Sequence, residues 1–312
     1  MDNKHPEPHF YGGQAVMEGV MMRGRSTYTM AVRKPDGEIE VRTYPIKKSK
    51  RQWLKLPVIR GIAAFVSSLS IGMKTLTESA EIATEGEPEE NLSRFERFLQ
   101  DKFGDKVNDI LVQISVVLAI AIAISLFILL PLWIGGIVPG PHGVIEGVAR
   151  LLIFLAYVLL ISRSKDIRRV FEFHGAEHKT INGHENGAEL TVESIQEYSR
   201  LHNRCGTSFL LIVMFISILV FAFVHTPYPW LRLVSRLLLI PVVAGLSYEV
   251  IRWAGRSKSS FVKVVSFPGL CLQKLTTGEP DGRQIEVAIT ALKAVLDKED
   301  KEDKEDKDGE EY

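Results

Sequence analysis

Three residues in one short stretch have the types and the spacing of a metal site. "FHGAEHKTI", residues 173–181, carries His174, Glu177 and His178 in an H-x-x-E-H pattern. On a helix, His174 and His178 lie four residues apart on one face, where two imidazoles can converge on one ion. Glu177 borders that face and can deprotonate a water activated by the metal. This is the division of labour of H-x-x-E-H enzymes. The bland alternative is a solvated helix face, since so short a pattern also arises by chance.

A second cluster supports the metal reading. "LHNRCGTSFLL" places His202 and Cys205 at H-x-x-C spacing, and imidazole and thiolate both suit zinc. His174, His178, His202 and Cys205 are the expected ligands of a divalent metal, zinc first, with Glu177 as general base. Four protein ligands would close the site and make it structural, whereas catalysis needs an open position. Cys205 or one histidine should then be free for other work. Cys205 also has a plain reading as a small buried residue.

Two further acids are weaker candidates. Glu249 lies in an apolar stretch, where an ionisable group is a functional hypothesis by default; the alternative is an ion pair with Arg252. Glu18, between glycines near the N-terminus, could approach the site. His184 falls in a turn-like "NGHENG" and is expected to be exposed. Glu193 and Glu197 read as a solvated face of a helix that delivers His202.

The elements that must position these residues are mostly apolar helices. No Asp, Glu, Lys or Arg occurs between Ile110 and Ile145. A run of about 20 apolar residues spans a bilayer core. Four spans are expected: from Asp109, from Val144, from Thr207 and from Trp230 to Trp253. Arg232 and Arg236, within the last, are expected to snorkel outward. Basic residues crowd the segment before the first span, the 163–206 loop and the segment after the last span. The connections "IGGIVPGPHG" and "TPYP" have no Lys or Arg. By the positive-inside rule the termini and the 163–206 loop are cytoplasmic, in a multi-pass protein of the cell membrane. "MDNKHPEPHF" does not read as a signal peptide. The two cysteines make no disulfide scaffold. The bilayer is the expected partner, and no nucleic acid is.

Antiparallel helices joined by one loop are normally neighbours, which brings the two clusters together. From Ser162 to His174, however, a continuing helix would run about 18 Å. The clusters meet only if the chain bends back near "SRSKDIRR".

The fold class is therefore mainly α, a polytopic helical membrane protein with a small N-terminal β-unit and cytoplasmic amphipathic helices. The β-unit covers residues 10–50: "GGQAVMEGVMMRG" reads as one strand with tight turns, and two more flank a Pro-Asp-Gly turn. Interfacial or amphipathic helices fill 57–106, beginning with a helix over 57–83. Spans occupy 107–162 and 207–253 on either side of the 163–206 loop. A cytoplasmic segment covers 254–296. The tail, 297–312, has four Lys against ten Asp and Glu and reads as disordered.

"GGQAVMEGVMMRG", "HGAEHKTI", "LHNRCGTSFLL", "GLSYEVIRWAG" and "PGLCLQKLTTGEPD", in this order, resemble the YqhQ-like family of bacterial membrane proteins from about Gly12 to Leu296. The resemblance implies a metal-dependent enzyme with His174, Glu177, His178, His202 and Cys205 as site positions. It puts Glu18 and Glu249 inside family motifs and leaves His184 outside them. The expected activity is hydrolysis of a peptide, lipid or lipid-linked substrate. The alternative is a membrane scaffold or assembly protein, its loop held by a structural metal or by hydrogen bonds.

Overall fold

The computed structural model describes residues 11–46, 51–85, 107–202, 205–224, 228–256 and 260–309. The chain divides into two compact units. The first combines residues 1–85, 158–212 and 244–312; the second combines 86–157 and 213–243.

The first unit is built on an antiparallel sheet in the order β1 (Gly12–Val16), β2 (Gly19–Arg23), β3 (Thr27–Arg33) and β4 (Ile39–Pro45). The glycine-rich stretch expected to form one strand is the β1–β2 hairpin. Its turn is Met17–Glu18, with Glu18 left-handed at φ 48°. The Pro-Asp-Gly turn joins β3 to β4 as expected, with Gly37 at φ 94°. Six of the seven β3 residues are buried, because both sheet faces are covered. Val20, Met22 and Ala31 pack against Ile285, Ala288, Leu292 and Val295 of the C-terminal helix. Val16, Met21, Met30 and Val32 pack with Ile82 of α1 (Ile59–Ala83). Helix α1 realises the helix expected over 57–83; the rest of the 57–106 segment, from residue 86, lies outside the described residues.

The charged tail is not disordered up to Gly309: it continues the C-terminal helix, Gly282–Gly309. Its apolar stripe docks on the sheet, and beyond the stripe Glu299 is buried. That carboxylate accepts hydrogen bonds from the Arg25 backbone N–H and from the Tyr11 hydroxyl (2.9 Å). Sheet contacts thus extend a helix that composition alone disfavours.

Among the described residues, three helices are long and apolar enough to cross a membrane: Gln113–Ile137, His142–Ile161 and Trp230–Trp253. In the first, α2 (Val107–Ile124) passes through a π-helical turn (Ser125–Leu129) into α3 (Leu130–Ile137). The others are α4 (His142–Ile161) and the apolar part of α8 (Pro229–Arg256). The span expected from Thr207 is a shorter helix, α7 (Gly206–Ala222).

Within the second unit, Arg232 and Arg236 do not snorkel outward. Arg236 is 2% exposed and meets the Glu146 carboxylate of α4 at 2.7 Å; Arg232 lies 3.5 Å from it. A buried carboxylate draws the guanidinium groups inward, because an unpaired charge in an apolar bundle is costly.

Candidate metal site

The site belongs to the first unit and is centred on α5 (Lys165–Glu185). Helix α4 ends at Ile161, and the chain turns at Ser162–Ser164 before α5 begins, so the break needed near "SRSKDIRR" exists. Seven consecutive α5 residues, Gly175–Ile181, are buried. Buried polar side chains need partners, and of those in this stretch the Thr180 hydroxyl finds none among the described residues.

His174 finds the C-terminal end of α9 (Ser260–Thr276): its Nδ1 lies 2.8 Å from the Thr276 carbonyl. Gly175 makes this approach possible, since a Cβ there would sit 2.0 Å from the Gly278 carbonyl oxygen. The Gly278 N–H also donates to the Phe171 carbonyl at 2.6 Å. His178 finds the chain beyond α6 (Val192–Gln196), with Nδ1 2.6 Å from the Arg200 carbonyl. The helix expected to carry His202 is only this five-residue turn; 197–202 is irregular.

A carbonyl oxygen can only accept, so the imidazole nitrogen facing it must be the donor. Each imidazole therefore carries its proton on Nδ1 and turns the Nε2 lone pair inward. The Cys205 sulfur lies 3.3 Å from His174 Nε2. One ligand atom each from His174, His178 and Cys205 falls within 4.8 Å of the others. Glu177 Oε2 is 3.9 Å from both Nε2 atoms. Two imidazoles held by backbone carbonyls, plus a thiol, form a donor set that fits a divalent ion. Their orientation is the outer-shell arrangement characteristic of metal-ligating histidines.

Burial sets the electrostatics. It lowers the His174 pKa and drives that of His178 to about 3, where neighbouring His174 adds to the effect. Both are neutral at pH 7 and suited to ligation. Burial also raises Glu177 to about 8, opposed by a hydrogen bond from the Gly13 N–H. A carboxyl poised near neutrality is suited to moving protons.

Of the other predicted residues, His202 lines the same cavity without joining the group of three, and the rest lie elsewhere. The His202 ring centroid is 5.7 Å from that of His178, and its Nε2 is 3.5 Å from Glu185. Its backbone N–H and C=O are both clamped by the fully buried Gln273 side chain, each at 2.9 Å. This holds His202 outside the group of three. Glu249 pairs with Arg60 rather than with Arg252 alone, and accepts the Val58 N–H at 3.2 Å. Glu18 pairs with Arg169 of α5 at 2.6 Å and does not line the site cavity. His184 is half-buried, its ring edge-on to Tyr11. Glu193 and Glu197 are exposed, as expected.

A cavity of about 380 Å³ opens onto the group, lined by Tyr11, by residues 12–15 of β1 and by His174, Glu177, His178, His202 and Cys205. Sequence reasoning missed the β1 contribution. The clue lay in Gly13: a Cβ there would press on the Glu177 side chain at 2.8 Å.

A family model described as a protein of unknown function, DUF1385, matches residues 56–298. The uncharacterized protein YqhQ of Bacillus subtilis (strain 168) is 35% identical over 304 residues, covering 94% of each chain. No solved structure matches.

Proposed function

The chain belongs to the DUF1385 family of unknown function, with YqhQ among its relatives, and from that premise we propose a metal-dependent hydrolase of the cell membrane with a cytoplasm-facing site. The observation that carries this reading is the convergence of His174, His178 and Cys205 ligand atoms within 4.8 Å, with both Nδ1 atoms held by backbone carbonyls. Three protein ligands leave the open position that catalysis requires. Thiolate with imidazole favours zinc. Bound there, the ion supplies Lewis acidity to a water or a carbonyl oxygen. Glu177, 3.9 Å from both Nε2 atoms, is placed to take a proton from attacking water and return it to the leaving group. Thr276 and Arg200 orient the imidazoles through their carbonyls.

The membrane arrangement proposed has four spans, with α7 as a short fourth beside the three long helices. A helix of 17 residues is about 26 Å long, slightly short of the bilayer core. An even number of spans keeps all basic segments, both termini and the site on the cytoplasmic side.

The second reading is a non-enzymatic scaffold. It is favoured by the 3.3 Å contact of Cys205 with His174, which can act as a plain thiol–imidazole hydrogen bond. Mass spectrometry of protein purified in mild detergent without chelators separates the two. Close to one zinc or iron per chain is expected, lost in a His174→Ala/His178→Ala double variant. Chains that stay metal-free after zinc addition would sink the enzyme. Glu177→Gln is expected to keep the metal and lose turnover.

A further inference from the structure

The site cavity is bounded along one side by a strand edge, and this bears on what enters it. Five consecutive residues, Tyr11–Ala15, line it. A strand shows every second residue on a face, but all of them along an edge. β1 is the outermost strand of the sheet.

The hairpin register identifies the groups on that edge. In a two-residue hairpin, the pair flanking the turn exchanges both hydrogen bonds, and bonded and non-bonded pairs alternate from there. Val16 and Gly19 flank the Met17–Glu18 turn, so Gln14 with Met21 and Gly12 with Arg23 are bonded pairs. The hydrogen bond from Arg33 N–H to the Glu18 carbonyl, 2.9 Å, has the parity this requires on the far side of β2. Gly13 and Ala15 therefore point their N–H and C=O groups outward. Gly13 and Glu177 line the same cavity, and a Cβ on Gly13 would lie 2.8 Å from the Glu177 side chain, so this stretch of β1 borders the chemistry. Among the described residues nothing pairs with the outward groups of Ala15. Glycines at 12 and 13 leave this stretch of edge without side chains.

We propose that the β1 edge is a substrate rail, and that the substrate is a polypeptide in extended conformation, added to the sheet as a further strand along Gly13–Ala15 through the Ala15 N–H and C=O and the Gly13 C=O. This rests on the hydrolase reading and specifies it as peptide-bond cleavage. An exposed strand edge recognises main chain, which lipids lack. The pairing runs a peptide carbonyl past His174, His178 and Cys205, beside Glu177. Water then adds its hydroxyl to the carbonyl carbon and the C–N bond breaks. Glu177 carries the water proton to the departing amine nitrogen, giving a carboxylic acid and an amine.

The test uses zinc-loaded full-length protein in detergent and titration calorimetry with three hydroxamates. These are acetohydroxamate, octanohydroxamate and an alanine–leucine tetrapeptide ending in hydroxamate. The peptide is expected to bind at least tenfold tighter than acetohydroxamate. A strand adds through every second residue. Of two peptides N-methylated at alternate amides, one should therefore lose this gain and the other keep it. Ala15→Pro removes an outward N–H without touching the β1–β2 bonds, and should lower peptide affinity to the acetohydroxamate level. Its zinc content per chain checks that it folds, and the N-methylated peptides test the pairing on the unaltered protein. Equal binding of both N-methylated peptides and the parent would overturn the rail while leaving the metal site standing. Octanohydroxamate binding tighter than the peptide would replace it with an acyl-chain substrate. If no hydroxamate binds, the metal reading itself fails, and the rail with it.

Discussion

Two buried polar clusters in this protein differ in charge logic. In the second unit, Glu146 (1% exposed) is met by Arg236 and Arg232. In the first, His174, His178, Cys205 and Glu177 turn lone pairs towards one another. The first kind pairs its one carboxylate with guanidinium groups, so its chemistry is spent on holding α4 to α8. The second kind is a set of acceptors and ligand atoms, with both imidazole protons already committed to backbone carbonyls. Burial of charge alone therefore does not single out a candidate site; burial of convergent lone pairs does.

The largest effect that would break this comparison is at the ion cluster. Arg236→Ala leaves Glu146 buried without its nearest partner and should cost about 3–5 kcal/mol. A chemical denaturation series in detergent measures it, and Glu146→Leu in the same chain should restore most of the loss. If Arg236→Ala is harmless, the cluster is not structural.

Next is Gly175→Ala. Its Cβ collides with the Gly278 carbonyl and pushes the Thr276 acceptor away from His174. Zinc affinity should fall about 10–100-fold, the usual cost of losing an outer-shell partner. Chelator competition reads this out, and unchanged affinity would argue that His174 is not held from Thr276.

A pH series sharpens the contrast further. In chelator-treated protein, Glu177 binds its proton more tightly folded than unfolded, its pKa being raised from 4.5 to about 8. It therefore favours the folded state at low pH, and that contribution is lost as pH rises towards 8. His178, depressed to about 3, has the opposite sign, and its contribution is fully present above about pH 6.5. Between about pH 6.5 and 8 the metal-free protein should lose stability, and Glu177→Gln should flatten that slope. Thermal melts across this range decide it.

The smallest effect is expected at Glu18. Its pair with Arg169 is half open to solvent, so Glu18→Gln should cost under about 1 kcal/mol and leave zinc content unchanged. A loss of zinc would return Glu18 to the site.

Much of this was legible in the residues. The Pro-Asp-Gly hairpin, the helix over 57–83 and the long apolar helices follow from turn chemistry and local hydropathy, and each appears. The charged tail was misread because Glu299 gains its partners, Arg25 and Tyr11, from more than 270 residues away. The inward turn of Arg236 was missed for the same reason, since Glu146 stands on another helix.

By itself, the sequence determined that His174, Glu177 and His178 share one helical neighbourhood, because a 3.6-residue period leaves no other arrangement on a helix. Only the tertiary structure set the Cys205 sulfur within ligand reach of both imidazoles and the His202 ring 5.7 Å from that of His178. Gln273 clamps the His202 backbone, while carbonyls of Thr276 and Arg200 aim the two imidazoles at the thiol. Those contacts link segments 22 to 102 residues apart, and no local periodicity encodes such distances.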